Sequence, residues 1–525
     1  MKGNCAPLAL AVIVYLLVAC PIVRAVAADP AVQCSALMAA DFSGIVDAPT
    51  QVIAAHFVGA TGDMQAHCEV SGYVAPSVGI EVRLPVAWNG KFIQVGSGGH
   101  GGVLDYWMKW CPTQEGYACL TTDMGHKGTG ADGLWAHQDL QAKVDWGYRA
   151  THVATLAGKA ITAKYYERFP QKSYFMGCST GGRQALQEAQ RFPWDYDGIL
   201  AGAPPIDLSL VYLSYAWGYR VTHDVAGRPL LGPEELNRLT ARAVARCDLD
   251  DGVKDGIVGD PMHCRVDPAQ LACGRTKTES CLTPFQLEAV RKLYAGPTDS
   301  MGVALTLGGL LPSSEQAYGE AYFGKSGDPP THLTLFANGF RYLFLSPEPG
   351  PGWTLNSIDF DLDPKRMGIM ESLVDSSNPD LRRFVAAGGK LLIYQGLNDP
   401  ITARAAIDYY ETVERTLGGR KPTQAAVRLF AIPGMNHCSG GVGADAADFL
   451  GALETWVEQG RAPDRILTGH LSKDEPLAYP YRRFPVDPAR LSFTRPVYPY
   501  PLRAMYRGRG DPNDAASFAP VERRQ

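Results

Sequence analysis

The chain has little net charge: 49 Lys and Arg stand against 54 Asp and Glu in 525 residues. No basic stripe runs along it, which excludes the electrostatic footprint of a nucleic-acid binder. An apolar run of membrane-spanning length is also missing. The candidate, Ala6 to Ala19, is too short and is followed by Pro21 and Arg24. The glycine-rich loop Gly96-Ser-Gly-Gly-His-Gly-Gly102 lacks the Lys-Ser/Thr ending of a phosphate loop, and no acidic ribose partner follows it. What the chain has in quantity is aromatic: 24 Tyr and 9 Trp suit an apolar or ring-bearing ligand.

One stretch organises the rest. The β-prone run Tyr174-Phe175-Met176 leads into Gly177-Cys178-Ser179-Thr180-Gly181, and a helix-forming segment from Arg183 to about Arg191 follows. Strand, G-x-S-x-G, helix is the context of a nucleophile elbow, in which flanking glycines allow a sharp turn that exposes the serine Oγ. The N–H of Thr180, at the helix start, then points at a developing oxyanion. A glycine-rich loop after an earlier strand supplies the second donor in α/β hydrolases. Gly98 and Gly99 are the candidates here, the choice between them open, with a plain flexible turn as the rival reading.

Strands are expected at Gly79–Leu84, Gly90–Val95, Tyr117–Thr122, Tyr196–Ala201, Lys390–Gln395 and Val427–Ile432, with helices at 148–169, 402–417 and 449–460 between and after them. This alternation predicts an α/β-hydrolase fold, a doubly wound, mostly parallel sheet. Residues 29–205 and 381–525 form its two halves, and the aromatic, proline-rich, loop-rich segment 206–380 is a large inserted lid. The stretch beyond Arg482 is expected to wrap the surface. The carboxylate Asp399 falls just past one strand end, and His437 just past the next. Ser179, Asp399, His437 is the chain order of an α/β-hydrolase triad, with His437 as base and Asp399 as its orienting carboxylate. His126 and His152 sit at no such position and are read as structural.

Residues 1–28 read as a secretory signal: Met-Lys, an apolar run, then the small residues Ala25-Val-Ala-Ala28 before Asp29. Leu17-Val-Ala-Cys20 also matches a lipoprotein box, which would anchor the chain to a membrane through Cys20. Plain secretion or periplasmic residence is the preferred expectation. Setting Cys5 and Cys20 aside, ten of the twelve cysteines remain, and an even number in an exported chain implies disulfides. Proximity suggests Cys34–Cys68, Cys111–Cys119, Cys247–Cys264 and Cys273–Cys281. Cys178 and Cys438 are left over, one before the nucleophile and one after the base. A formed triad would bring them within bridging range. A free catalytic Cys178 is the alternative, disfavoured in an oxidising compartment.

Inside the insertion, Asp248-Leu-Asp-Asp-Gly-Val-Lys-Asp-Gly-Ile257 places several carboxylates on a glycine-punctuated loop, suited to a hard cation such as Ca2+. The spacing is not that of an EF-hand. A solvated acidic turn is the plain alternative. Because the loop is remote from the triad in sequence, the ion is expected to be structural.

Gly177-Cys-Ser-Thr-Gly-Gly182, Asn398-Asp399-Pro400, Gly434-Met-Asn-His-Cys438 and the 248–257 loop together resemble the tannase and feruloyl esterase family, which also includes mono(2-hydroxyethyl) terephthalate hydrolase. The likeness extends to Thr122-Asp-Met-Gly-His126 and to the tail ending near Phe518. It implies a Cys178–Cys438 bridge and a calcium-binding lid. The implied ligands are the side chains of Asp248, Asp251 and Asp255 and the carbonyls of Val253 and Ile257. A tail cysteine pair of several relatives is absent, Tyr498 and Ala519 standing there. The expected activity is hydrolysis of aromatic carboxylic esters through an acyl-Ser179, on small substrates that are free or linked to polysaccharide or polyphenol. Feruloyl esters come first, then galloyl, then terephthalate monoesters. Phe336, Phe340 and Trp353 are candidates to stack on the ring, each equally a candidate for lid core. An acyltransferase, a peptidase or a non-catalytic exported binding protein on the same fold are the other readings.

Overall fold

A computed structural model describes residues 29–274, 281–323, 331–400, 402–472 and 490–522. The expected signal segment and Cys20 lie outside the described residues. The centre is a nine-stranded sheet: β1 Thr50–Val58, β2 His67–Val74, β3 Val78–Pro85, β4 Lys91–Val95, β5 Ala118–Thr122, β6 Lys172–Cys178, β7 Gly198–Gly202, β8 Lys390–Gly396 and β9 Val427–Ile432. Their order across the sheet is β1-β2-β3-β5-β4-β6-β7-β8-β9. The pairs from β1 to β5 are antiparallel, and those from β5 to β9 are parallel. The chain is thus α/β with a mostly parallel sheet. In β5 and β7 every residue is buried, and in β6 and β8 all but the first. Strands covered on both faces need apolar side chains on both, so these read as continuous apolar runs rather than alternating ones.

The parallel order places the C-terminal ends of β4, β6, β8 and β9 along one rim. The helix Thr180–Arg191 begins there, and Ala150–Tyr166 runs beside it. The latter is shorter than the 148–169 expected. Asp145–Arg149 forms a wider helical turn before it, and Glu167 ends it in a left-handed conformation ahead of Pro170.

Between β7 and β8 the expectation of a loop-rich segment is corrected: it is largely helical. Helices occupy Leu208–Thr222, Pro233–Cys247, Pro284–Ala295, Glu315–Phe323, Thr331–Gly339 and Gly368–Val374. Prolines that suggested loops begin helices instead. Pro233 and Pro284 occupy first-turn positions, where no N–H is needed. Thr283 caps its helix reciprocally with Gln286: the Thr283 N–H donates to Gln286 Oε1 (2.9 Å), and the Gln286 N–H to Thr283 Oγ1 (3.3 Å). Aromatic rings form the core here. Phe340 is fully buried with its ring 4.9 Å from that of Trp353.

The C-terminal stretch does more than wrap the surface. Leu491–Val497 pairs with Ile466–Leu471, and Leu502–Tyr506 with Phe518–Glu522. Among the described residues no helix is long and apolar enough to cross a membrane.

Candidate active site

Ser179 sits between β6 and the helix Thr180–Arg191 with φ 62° and ψ −124°. Such a backbone costs a non-glycine residue roughly 1–3 kcal/mol and persists only where its surroundings hold it. They do. The Ser179 N–H donates to Gly202 O of β7 (3.0 Å), and its carbonyl accepts from the Arg183 N–H (3.0 Å). The neighbouring glycines are a packing requirement: a Cβ on Gly177 would lie 2.5 Å from the Gly181 carbonyl carbon, and one on Gly182 2.2 Å from Gly202 O. Helix and strands approach closely only because neither carries a side chain there.

Asp399 follows β8 and His437 follows β9. His437 Nδ1 donates to Asp399 Oδ2 at 2.6 Å. Asp399 is only 3 % exposed, whereas His437 keeps 36 % exposure. Burial favours neutral His437, but the adjacent Asp399 charge and hydrogen bond outweigh it and raise the pKa above 6.5. Two residues missed in the sequence complete the carboxylate's shell. Gln395 Nε2 donates to Oδ2 (3.2 Å), the Thr402 N–H donates to Oδ1 (3.3 Å), and the Thr402 hydroxyl also donates to Oδ2. Asp399 and Thr402, three apart before the helix Ala403–Thr416, resemble a helix-start pattern that would have pointed to Thr402.

The Cys178–Cys438 disulfide joins the residue before Ser179 to the residue after His437, with 5.9 Å between their Cα atoms. The pairs Cys34–Cys68, Cys111–Cys119, Cys247–Cys264 and Cys273–Cys281 are also bridged. Cys178 is therefore no free thiol.

Ser179, Asp399 and His437 line one cavity of about 430 Å³, together with Thr180, Gly99 and His100. Gly98 is not among its walls, since its α-carbon packs against the Trp107 ring. The Thr180 hydroxyl donates to Gly99 O (2.7 Å), pinning the glycine loop to the elbow. His100 N–H is bound to Gly130 O and Gly101 N–H to Gly98 O. Among the described residues no protein acceptor takes the N–H of Gly99 or of Thr180. Across the cavity the insertion contributes Tyr212, Tyr215, His332 and Phe336, among others. Phe336 lies stacked on Tyr215 with 3.5 Å between centroids. Phe340 and Trp353, the other stacking candidates, are lid core instead.

His126 and His152 lie elsewhere. His126 is stacked on Trp135 (3.7 Å), and burial lowers its pKa to about 3. His152 Nδ1 pairs with Asp195 (2.6 Å), and the ligating atoms of His152, Glu188 and Asp195 all lie within 4.8 Å of one another. Burial, then the Asp195 carboxylate, pushes the Glu188 pKa well up. Lys159 donates to the Asp195 carbonyl beside them.

In the acidic loop Asp248 Oδ1 accepts from the Gly256 N–H (3.0 Å), Asp251 Oδ1 from the Val253 N–H (3.0 Å) and Asp255 Oδ1 from the Ile257 N–H (3.0 Å). Burial first, then the charges of Asp255 and Asp248, raise Asp251 to about 6. Arg495 from the C-terminal stretch pairs with Asp255 Oδ2 at 2.6 Å. The loop is remote from the triad in sequence but not in space. A Cβ on Gly434, three residues before His437, would meet the Ile257 side chain at 3.1 Å.

A serine on a strained strand-to-helix turn, facing a cavity shared with a hydrogen-bonded His–Asp pair, defines the class: a serine hydrolase of α/β fold. Sequence comparison narrows it. The model of the family described as "Tannase and feruloyl esterase" matches residues 60–521, and the chain belongs to that family. It is 34 % identical to the mono(2-hydroxyethyl) terephthalate hydrolase of Piscinibacter sakaiensis, over 86 % of this chain and 84 % of that one. It is 32 % identical to an uncharacterized esterase of Xanthomonas campestris, over 94 % and 92 %. The crystal structure of feruloyl esterase B from Aspergillus oryzae superposes with a TM-score of 0.79 at 26 % identity, covering 94 % of this chain and all of that one.

Proposed function

We propose that this esterase hydrolyses esters of aromatic carboxylic acids, feruloyl and related hydroxycinnamoyl esters first, through an acyl-enzyme on Ser179. The observation that carries the reading is one cavity walled on one side by Ser179 and the 2.6 Å His437–Asp399 pair and on the other by the stacked Tyr215 and Phe336 rings. Its volume of about 430 Å³ suits a single ring with a short acyl arm. The Ser179 Oγ attacks the ester carbonyl while His437 Nε2 removes its proton. Asp399 holds Nδ1–H and stabilises the imidazolium. The negative oxygen of the tetrahedral intermediate lies between the N–H groups of Thr180 and Gly99. His437 returns the proton to the departing alcohol. A water molecule, activated by the same imidazole, then releases the acid. Galloyl and terephthalate monoesters are the alternative acyl groups, the second favoured by the relative at 34 % identity. Polysaccharide- or polyphenol-linked esters fall within the proposal.

The acidic loop is proposed to bind Ca2+ through the carboxylates of Asp248, Asp251 and Asp255 and the carbonyls of Val253 and Ile257. Three carboxylates on one loop, with Asp251 buried and Arg495 bound to Asp255, leave room for further positive charge, which supports the fit. The ion would supply that charge and stiffen the loop. Export is proposed from the N-terminal segment, and the five disulfides suit an oxidising compartment.

Methyl ferulate, methyl gallate and mono(2-hydroxyethyl) terephthalate, assayed side by side with wild type and Ser179→Ala, test the reading. Ferulate should give the highest kcat/KM, and the variant should lose at least about 10³-fold on every ester. Turnover undiminished in the variant would overturn the Ser179 mechanism, and a flat or reversed substrate ranking the feruloyl assignment.

A further inference from the structure

His100 directly follows Gly99, and its side chain is 1 % exposed. Its Nδ1 lies 2.8 Å from the Asp132 carbonyl oxygen and its Nε2 2.6 Å from the Tyr212 hydroxyl. A carbonyl oxygen only accepts, so Nδ1 carries the hydrogen, Nε2 is bare, and the Tyr212 hydroxyl donates to it. Burial lowers the His100 pKa to about 4, so this tautomer persists across the neutral range.

Tyr212 belongs to Leu208–Thr222, the first helix of the insertion. Its ring packs 4.0 Å from Phe344 and 4.7 Å, edge-on, from Phe336. A Cβ on Gly339 would collide with it at 2.0 Å, so the ring occupies a slot that only glycine leaves open. The phenol thus reaches from the aromatic wall of the insertion to the residue beside the open Gly99 N–H.

We propose that Tyr212 and His100 are positioning residues: the chain Tyr212 O–H to His100 Nε2, and His100 Nδ1–H to Asp132 O, sets the angle at which the Gly99 N–H meets the oxyanion. The insertion thereby aligns one half of the oxyanion site as well as covering the cavity. This rests on Gly99 being the second oxyanion donor.

Tyr212→Phe removes the donor and keeps the ring. His100→Asn keeps a donor for Asp132 but removes the acceptor for Tyr212. Losing an oxyanion donor outright costs about 10²–10³ in kcat, so a donor retained but misaligned should cost about tenfold. Each variant is expected to lose about tenfold in kcat, with KM and the affinity for free ferulic acid within twofold of wild type. Affinity for an aryl boronic acid, whose adduct with Ser179 carries the tetrahedral oxygen, should fall in parallel with kcat. The double variant should be no worse than either single one, because both break the same link. The loss should be equal on p-nitrophenyl acetate and methyl ferulate, since every ester uses the oxyanion site. Unchanged kcat in both variants would overturn the proposal. So would additive losses, or a loss confined to aromatic acyl groups with raised KM, which would make Tyr212 a substrate contact. Failure of the Ser179 mechanism is distinguished because it would appear as activity surviving Ser179→Ala, whatever the Tyr212 and His100 variants do.

Discussion

Replacing Asp399 by Asn probes the site most sharply, because an amide can no longer accept at both positions where the carboxylate does. The Thr402 N–H at Oδ1 can only donate and favours the amide oxygen there, whereas at Oδ2 the Thr402 hydroxyl can rotate and the Gln395 amide can turn. The NH2 group is then turned toward His437, where Oδ2 had accepted Nδ1–H. His437 must answer with a bare Nδ1, which moves its hydrogen to Nε2, the nitrogen that should take the Ser179 proton. Loss of the correct tautomer with geometry intact is expected to lower kcat by about 10⁴, or about 5.4 kcal/mol in the barrier. A second change accompanies it. In wild type the Asp399 charge raises the His437 pKa against the effect of burial, and the base works only when neutral. The acid limb of kcat/KM against pH should therefore have its midpoint above 6.5 in wild type. Asp399→Asn leaves burial unopposed, so the limb should move below 6.5. Steady-state kinetics on methyl ferulate from pH 4 to 10 measure both effects. A variant within tenfold of wild type, or an acid limb that stays in place, would refute the assignment of Asp399.

Replacing Cys178 and Cys438 together with Ser opens a loop of 260 residues and should cost up to about 5 kcal/mol of unfolding free energy on the chain-entropy model, read by denaturant titration; kcat should fall with KM held, since the bridge flanks Ser179 and His437. Removing metal from the acidic loop should lower Tm in a pH-dependent way. Asp251 titrates near 6 when folded against an ordinary 3.8, so its neutral form favours the folded state at low pH, and that contribution is lost as pH rises through 6. Chelated protein should thus lose Tm between pH 4 and 7, and Ca2+ should restore it; Asp251→Asn should flatten the dependence. Phe336→Ala removes the ring stacked on Tyr215 and should raise KM for methyl ferulate about tenfold, with p-nitrophenyl acetate little changed in the same assay.

Much of this architecture was legible along the chain because local chemistry specifies it. The Gly177–Gly182 elbow, the strand at Lys91–Val95 and that at Val427–Ile432 follow from turn glycines and from apolar runs that suit a sheet buried on both faces. Chain order alone placed Asp399 and His437 after successive strands, and the cysteines beside Ser179 and His437 then pointed to each other. The segment between β7 and β8 is not legible in this way: proline and aromatic content suggests loops, whereas Pro233 and Pro284 sit at helix starts and the rings pack into a core. Other features exist only in three dimensions. Gly98 and Gly99 are indistinguishable in sequence; the Trp107 ring occupies the space beside one, and the cavity opens at the other. Gln395 binds Asp399 from within β8, a contact that composition does not encode. Phe336 and Phe340 lie one helical turn apart and both are buried, yet only Phe336 lines the cavity, a difference that spacing along the chain does not show. Contacts between residues far apart in the chain depend on the whole packing arrangement, and the hydrogen bond from Tyr212 to His100, 112 positions apart, is of that kind.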